Sequence, residues 1–441
     1  MRSVPTSPTR VLVVGGGYVG LNATLRLLHR LRPGEAEVTL VDPRGYMTYH
    51  PFLPEAAAGS IDARNVVVSL RRTLSHVGGG AEVVAADVVK IAHGDRTARI
   101  RCADGSERDL DYDVLVMAPG SVSRTLPIPG LAEQAIGFKT VEEAVHLRNR
   151  VLAQLDLAEA STEPDGRRRA LTFVFVGGGY AGIEAIAELE DMARYATRLH
   201  RTIRPADLRF VLVEATDRIL PEVGSRLGRY AVDVLRSRGI DVALGTTMTS
   251  CVDGRVVLSD GRELDAATIV WTAGVKAHPL LEATDLPLDE RRRLVVDADL
   301  RVRGVAGAWG AGDSCAVPDL TRPGGFCAPN AQHAVRQARR LADNLLAQLR
   351  GRPTTDYRHT YAGSVASLGL HKGVAQIYGV RVRGYPAWLA HRVYHLSKMP
   401  TRSRKAGVLL GWVQAALFHR EAVAMAALSD PFAEFERAAR S

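Results

Sequence analysis

The sequence predicts an α/β protein built from two copies of one strand–glycine-loop–helix module, the second inserted into the first, with a basic C-terminal region after them. Three observations carry this. A glycine-rich turn between an apolar strand and a helix starts at Gly15 and recurs 162 residues later at Gly177. An Asp-Gly hairpin signal follows each turn, at Asp104-Gly105 and again 156 residues on at Asp260-Gly261. Finally, residues 381–441 hold ten Lys/Arg against four Asp/Glu, two-thirds of the chain's net charge of +9.

In chain order, Arg10–Val14 reads as a buried strand. It runs into Gly15-Gly16-Gly17-Tyr18-Val19-Gly20 and a helix to about Leu31. A second strand, Val38–Val41, ends in Asp42. The hairpin around Asp104-Gly105 leads to a strand over Tyr112–Met117 and the turn Ala118-Pro119-Gly120. The second copy has a strand at Leu171–Val176, the loop Gly177-Gly178-Gly179-Tyr180-Ala181-Gly182 with its helix, and a strand Leu208–Val213 ending in Glu214. Its hairpin leads to Thr268–Trp271 and Thr272-Ala273-Gly274. Residues 158–170 read as a flexible loop ahead of the second module.

One such loop is weak evidence; two, each between strand and helix with an acid downstream, are strong. The first glycine permits the tight turn, the second lets a pyrophosphate approach the backbone, and the third lets helix and strand pack closely. The helix N-terminus stabilises phosphate charge, and the acid accepts from ribose hydroxyls. Two Rossmann-type dinucleotide-binding domains follow.

Composition narrows the class. With 441 residues, 46% hydrophobic and 24% charged, the chain is ordinary globular material that can bury a core without disulfides. Its four cysteines (Cys102, Cys251, Cys315, Cys327) form no CxxC and show no metal-type spacing, so no metal is expected and a reducing compartment is. The start of the chain has no apolar core of a signal peptide, and no stretch reaches roughly 18 uninterrupted apolar residues. No nucleic-acid motif accompanies the basic charge, so no nucleic-acid partner is expected.

Residues 303–313 read RGVAGAWGAGD. With the two loops, they make residues 10–345 or so resemble the two-dinucleotide-binding-domain flavoproteins, in which this Gly-Asp segment closes over FAD. The resemblance implies FAD on the first module and NADH on the second. The FAD-binding domain would span 8–125 and 290–375, with the NADH-binding domain at 126–289 and a membrane-association region at 376–441. FAD contacts are implied at Gly15, Gly17, Tyr18, Val19, Gly20, Asp42, Pro43, Arg44, Val88, Ala118, Pro119, Gly120, Gly312 and Asp313. NADH contacts are implied at Gly177, Gly179, Tyr180, Ala181, Gly182, Glu184, Glu214, Ala273 and Gly274. Asp42 stands where Glu is commoner in that superfamily. Glu214 favours NADH, because a carboxylate repels a 2′-phosphate, although Arg218 lies four residues on.

The acceptor separates the relatives. Disulfide reductases and sulfide:quinone oxidoreductases need reactive cysteines, and residues 42–101 and 103–250 have none. The segment 42–59 (DPRGYMTYHPFLPEAAAG), Gly182-Ile183-Glu184, Trp271–Gly274 and Ala331-Gln332-His333-Ala334 resemble the type II NADH dehydrogenases instead. These are NADH:quinone oxidoreductases that do not pump protons. The resemblance places Glu184 near the nicotinamide and Gln332 at the quinone end of the flavin, as the residues nearest the chemistry. Gln332 and His333 also count among the flavin contacts, the His333 and His50 side chains being read as structural. Tyr180-Ala181 stands where Pro-Thr is frequent in that family. Pro329-Asn330-Ala331 can start a helix whose amides face the flavin.

In the tail, residues 384–396 interleave aromatic and apolar residues with basic ones, and Ala406–Phe418 is a 13-residue apolar run, too short to span a bilayer. Aromatics beside Lys/Arg suit an interfacial pair of amphipathic helices. The expected partners are therefore a quinone, menaquinone or ubiquinone, and the cytoplasmic face of the cell membrane; a homodimer also fits the family. Two other readings stay open: a soluble FAD-dependent reductase of a ferredoxin or rubredoxin, and an NADH-sensing flavoprotein.

Overall fold

The computed structural model describes residues 7–322, 324–359, 363–425 and 438. The chain divides into two compact units: Met1–Thr48, Val67–Val122 and Val275–Tyr361 form one; Tyr49–Val66, Ser123–Gly274 and Ala362–Ser441 form the other.

The first unit is organised on a five-stranded parallel sheet in the order Ala308–Gly310, Val114–Met117, Thr9–Val14, Ala36–Val41, Glu82–Val84. The central strand carries Val11–Val14, all buried, as a parallel strand covered on both faces requires. The helix Tyr18–Leu28 follows the first glycine turn and packs against the long helix Ala331–Leu349. An antiparallel sheet of Ala86–Ala92, Thr97–Cys102 and Glu107–Asp111 contains the expected hairpin, with Gly105 at φ +82° in its turn.

The second unit repeats the plan. Its parallel sheet runs Ala135–Gly137, Thr268–Trp271, Thr172–Val176, Arg209–Val213, Asp241–Ala243. The second hairpin joins Arg255–Leu258 to Glu263–Asp265. A three-stranded sheet (Gly363–Ser367, Gly373–Ile377, Val380–Arg383) and the helices Tyr385–Lys398 and Arg402–Phe418 belong to this same unit.

One expectation fails. Residues 158–170 are not a loop: the helix Val141–Ala160 runs into them, and Pro164–Ala170 forms a further helix. Pro164 sits in its first turn with Asp165, and Arg167, Arg168 and Arg169 in its last, a distribution that complements the helix dipole. The Arg167 guanidinium then donates to the carbonyls of Ala158 and Thr202. The Pro-Asp-Gly signal thus starts a helix rather than a turn.

Candidate functional site: two glycine loops and a buried ionic cluster

In the first unit the glycine turn is held from below by its acid. The Gly16 N–H donates to Asp42 Oδ2 at 2.8 Å, and the Arg44 N–H to Oδ1 at 2.9 Å. Gly15 has φ +96°, and a Cβ there would lie 2.3 Å from the Ala118 carbonyl oxygen, which sets the loop directly against the Ala118-Pro119-Gly120 turn. An added Cβ at Gly17 would meet nothing within 4 Å. The outer face of the loop is therefore open at the start of a helix, where a pyrophosphate is best stabilised. Gly312 lies against Val19 and its N–H donates to Gln337 Oε1 at 2.8 Å, while Asp313 Oδ2 accepts from Ser121 Oγ at 2.8 Å. These residues fit FAD: a phosphate cradle, a ribose acceptor and, following Gly312 against Val19, the second carboxylate of Asp313. Val88 lies in the antiparallel sheet, paired with Ile100.

Gln332 and His333 occupy the first turn of the helix Ala331–Leu349, which Asn330 caps by accepting from the His333 N–H at 2.9 Å. His333 is buried, with Nδ1 2.9 Å from the Tyr357 hydroxyl. Burial, reinforced by His359 alongside, pushes its pKa down to about 4, so it is neutral at pH 7.

The second unit copies the first loop. The Gly178 N–H donates to Glu214 Oε2 at 2.6 Å, as Gly16 does to Asp42. Glu214 Oε1 accepts from both the backbone and the hydroxyl of Thr216 at 2.8 Å. Gly177 has φ +117° and faces Thr272, and a Cβ at Gly179, like one at Gly17, would meet nothing within 4 Å. Tyr180 and Ala181 open the helix Tyr180–Ala196. Ala273-Gly274 follows the strand end, where Trp271 Nε1 donates to the Arg124 carbonyl at 2.8 Å. The carboxylate that would exclude a 2′-phosphate is thus fixed, while Arg218 is exposed beside Asp217.

Glu184 is held from the other side. Its Oε1 accepts from the Ser367 N–H at 2.9 Å and lies 3.0 Å from His391 Nε2, within ion-pair range but not aligned as a hydrogen bond. One turn on, Glu188 accepts from Ser367 Oγ at 3.3 Å and pairs with Arg420 at 3.0 Å. Glu55 takes Arg392 in two contacts, at 3.2 and 3.1 Å, and the Trp412 indole N–H at 2.5 Å. The Arg392 guanidinium is sandwiched by the Trp388 and Trp412 rings, 4.2 and 4.6 Å from their centroids. All three glutamates and His391 are buried.

Of this cluster, sequence reasoning singled out Glu184 alone. Glu188, at i+4 from it, was the available signal, since the two must share a helix face. Glu55 lies inside the 42–59 segment and His391 and Arg392 inside the tail segment, where neither pattern indicated burial.

No cysteine chemistry competes. All four cysteines are free thiols, and burial pushes Cys315 up to about 12 and Cys327 to about 11. Among the described residues there is no cluster of metal-ligating side chains, and no helix is long and apolar enough to cross a membrane.

Residues 9–338 match the family model for pyridine nucleotide-disulphide oxidoreductases. Curated relatives include the type II NADH:quinone oxidoreductase of Staphylococcus epidermidis, 32% identical over 87% of this chain and 93% of the relative. NdhA of Mycobacterium tuberculosis, carrying the same description, is 30% identical over 91% and 86% of the two chains. In fold, the chain is similar to NDH2 of Plasmodium falciparum solved with NADH, with a TM-score of 0.86 at 17% identity, covering 94% of this chain and 99% of that one. The glycine loops, the carboxylates behind them and these relatives agree: the chain belongs to the pyridine nucleotide-disulphide oxidoreductase family and, within it, to the type II NADH:quinone oxidoreductases.

Proposed function

We propose that this chain oxidises NADH and passes the electrons to a quinone dissolved in the membrane, without pumping protons. The observation that carries the reading is the duplicated loop-and-carboxylate arrangement, Gly16 on Asp42 and Gly178 on Glu214, in a protein whose thiols are unsuited to disulfide exchange. The named relatives favour quinone as acceptor over a small electron-carrier protein or a purely sensing role.

Bound FAD supplies the two-electron chemistry, accepting hydride and releasing electrons. The protein supplies positioning and electrostatics. Gly15, Gly17, Tyr18, Val19 and Gly20 hold the FAD pyrophosphate, and Asp42 its adenosine ribose, with Pro43 and Arg44 alongside. Ala118, Pro119, Gly120, Gly312 and Asp313 complete that side. Gly177, Gly179, Tyr180, Ala181 and Gly182 hold the NADH pyrophosphate, Glu214 its ribose, and Ala273 and Gly274 border it. The Ala331 helix presents its first-turn amides and Gln332 to the flavin end, and neutral His333 adds no competing positive charge there. Gln332 donates to a quinone carbonyl without trapping a proton. Gln332→Leu should slow quinone-driven recovery of flavin absorbance about tenfold, the worth of one hydrogen bond, and leave bleaching by NADH unchanged. Slowed bleaching with normal recovery would reverse the assignment of Gln332.

The protein sits on the cytoplasmic face of the cell membrane through the helices Tyr385–Lys398 and Arg402–Phe418. Leu410, Val413 and Leu417 fall on one helix face at 68%, 54% and 68% exposure, continued by Phe418 at 75%. So much apolar surface is uncommon on a soluble monomer. Lys398, Arg402, Arg404 and Lys405 flank it, each contributing about 1 kcal/mol near an anionic surface. Leu410→Glu with Val413→Glu should abolish co-flotation with anionic vesicles while leaving NADH-dependent flavin bleaching intact. Undiminished flotation would contradict this anchor, and conversion of a dimer to a monomer instead would assign the face to self-association.

A further inference from the structure

The second unit contains a cleft of about 450 Å³ that the chemistry above does not use. Its walls are residues 59–62, Arg148 of the helix Val141–Ala160, Tyr195 near the end of the helix Tyr180–Ala196, and one face of the helix Arg402–Phe418 with residues 419–423 after it. Gly59, at φ +70°, brings the chain close: a Cβ there would lie 2.7 Å from the Glu421 carbonyl oxygen and 3.6 Å from Arg148 Cζ. The guanidinium therefore lies beside the Gly59-Ser60 backbone.

This lining is rich in donors that lack acceptors. Ser60 Oγ, Arg148 Nε and Arg420 Nη2 are buried, and none has a hydrogen-bond partner among the described residues. Ser60 as a whole is only 4% exposed. A buried donor left unpaired costs free energy, so three of them on one cleft mark a place for an acceptor.

The charges define that acceptor. Arg420 is balanced by Glu188 at 3.0 Å, and Asp62 by Arg64 at 3.8 Å. Arg148 makes one long hydrogen bond, from Nη2 to the Glu421 carbonyl at 3.4 Å, and no ion pair among the described residues. Burial lowers its pKa, and the pull of Glu421 and then Asp62 does not make up for it. Glu421 is exposed, where water and salt screen its charge. One unspent guanidinium with a hydroxyl nearby suits a singly charged oxyanion, whose oxygens can take two guanidinium N–H groups at once.

The position defines its source. Gly411, Gln414 and Phe418 line the cleft, and each directly follows a member of the exposed apolar stripe Leu410, Val413 and Leu417. One residue is about 100° of turn around a helix, so the cleft opens alongside that stripe. Leu199 and Val423, 65% and 62% exposed, add apolar surface at the cleft. An amphiphile with its chains against the stripe would bring its headgroup to Arg148.

We propose that this cleft binds the phosphodiester of an anionic membrane lipid, Arg148 taking the phosphate oxygens and Ser60 donating a further hydrogen bond. The inference rests on the membrane reading above and adds to it a lipid-binding residue outside the basic tail. A phosphodiester carries one negative charge at neutral pH, matching the one unpaired guanidinium. A choline headgroup carries its own cation and would bring it toward Arg148 and Arg420, so a phospholipid with a neutral polyol headgroup is preferred.

The test uses the FAD-loaded full chain and short-chain phosphatidylglycerol below its micelle concentration, so that no charged surface is present. Phosphorus NMR should show saturable binding to the wild type. Arg148→Gln should weaken it at least about tenfold, the worth of hydrogen bonds to a charged group, and Ser60→Ala about threefold. Short-chain phosphatidylcholine and inorganic phosphate should each bind at least about tenfold more weakly than phosphatidylglycerol. Bleaching of flavin by NADH should be the same in all three proteins, which shows that the variants fold. Equal affinity of wild type and Arg148→Gln for phosphatidylglycerol would overturn the inference, and inorganic phosphate binding as tightly as the lipid would assign the cleft to a free anion instead. Flotation of the wild type with anionic vesicles without binding of the short-chain lipid would overturn the inference and leave the membrane reading standing. A wild type that neither floats nor binds the short-chain lipid would remove both.

Discussion

Gly20→Ala should purify without flavin, and Gly182→Ala should keep its flavin but lose its response to NADH. A Cβ on Gly20 would sit 1.8 Å from the Gly15 carbonyl oxygen, and one on Gly182 would sit 2.0 Å from that of Gly177. Both obstacles are backbone, and each belongs to the turn proposed to cradle a pyrophosphate, so neither clash is relieved by rotating a side chain. Opening either loop costs at least about 1–3 kcal/mol, which is roughly ten- to a hundredfold in nucleotide affinity. The ratio of flavin to protein absorbance reads the first variant. The NADH concentration needed to bleach flavin reads the second. If Gly182→Ala lost its flavin and Gly20→Ala kept it, the two modules would have been assigned the wrong way round.

Arg392→Met should be among the most destabilising single changes in the second unit. It removes the only guanidinium on Glu55 among the described contacts and leaves a carboxylate buried against Trp412. Breaking a buried pair from one side typically costs about 3–5 kcal/mol, on the order of 10 °C in melting temperature for a unit of this size. The double variant Glu55→Gln/Arg392→Met removes the orphaned charge and should recover most of the loss. The sign with pH follows from the raised Glu55 carboxyl. A group that binds its proton more tightly folded than unfolded favours the fold at low pH and loses that contribution as pH rises through its folded value. The Arg392→Met deficit should therefore shrink on acidification and grow on going alkaline. His391, also raised, adds the same slope in the parent protein. Thermal melts across pH 5–9 check both; a pH-independent deficit would mean that Glu55 is not ionised in the fold.

Much of the molecule was legible because its chemistry is local. A glycine that must stand under a carbonyl, a run of buried apolar strand residues and an acid at the next strand's end all lie within about 45 residues, so Gly15–Asp42 and Gly177–Glu214 could be read directly. The Asp-Gly hairpins were legible for the same reason. The helix Pro164–Ala170 was misread because Pro, Asp and Gly signal helix starts as well as turns, and contacts of Arg167 with Thr202, 35 residues away, decide between them. Beyond Glu184, the ionic cluster was not legible. Glu55 and Arg392 are 337 residues apart, and in the sequence Arg392 reads as one more cation of a basic, aromatic segment. Burial turns it into a counterion: the tail is half solvent-facing apolar surface and half structural support for Glu55 and Glu188. Deleting 380–441 would therefore test stability rather than membrane binding, whereas glutamates on the Leu410 face test binding alone.

The central claim is that hydride from NADH ends as quinol. The most direct measurement mixes the FAD-loaded protein anaerobically with one equivalent of NADH and menaquinone in anionic vesicles, and quantifies NAD⁺ and menaquinol. One menaquinol formed per NADH consumed, with flavin absorbance restored, is the expected result. NADH consumed and flavin bleached with no menaquinol formed would contradict the account and direct the search to a different acceptor.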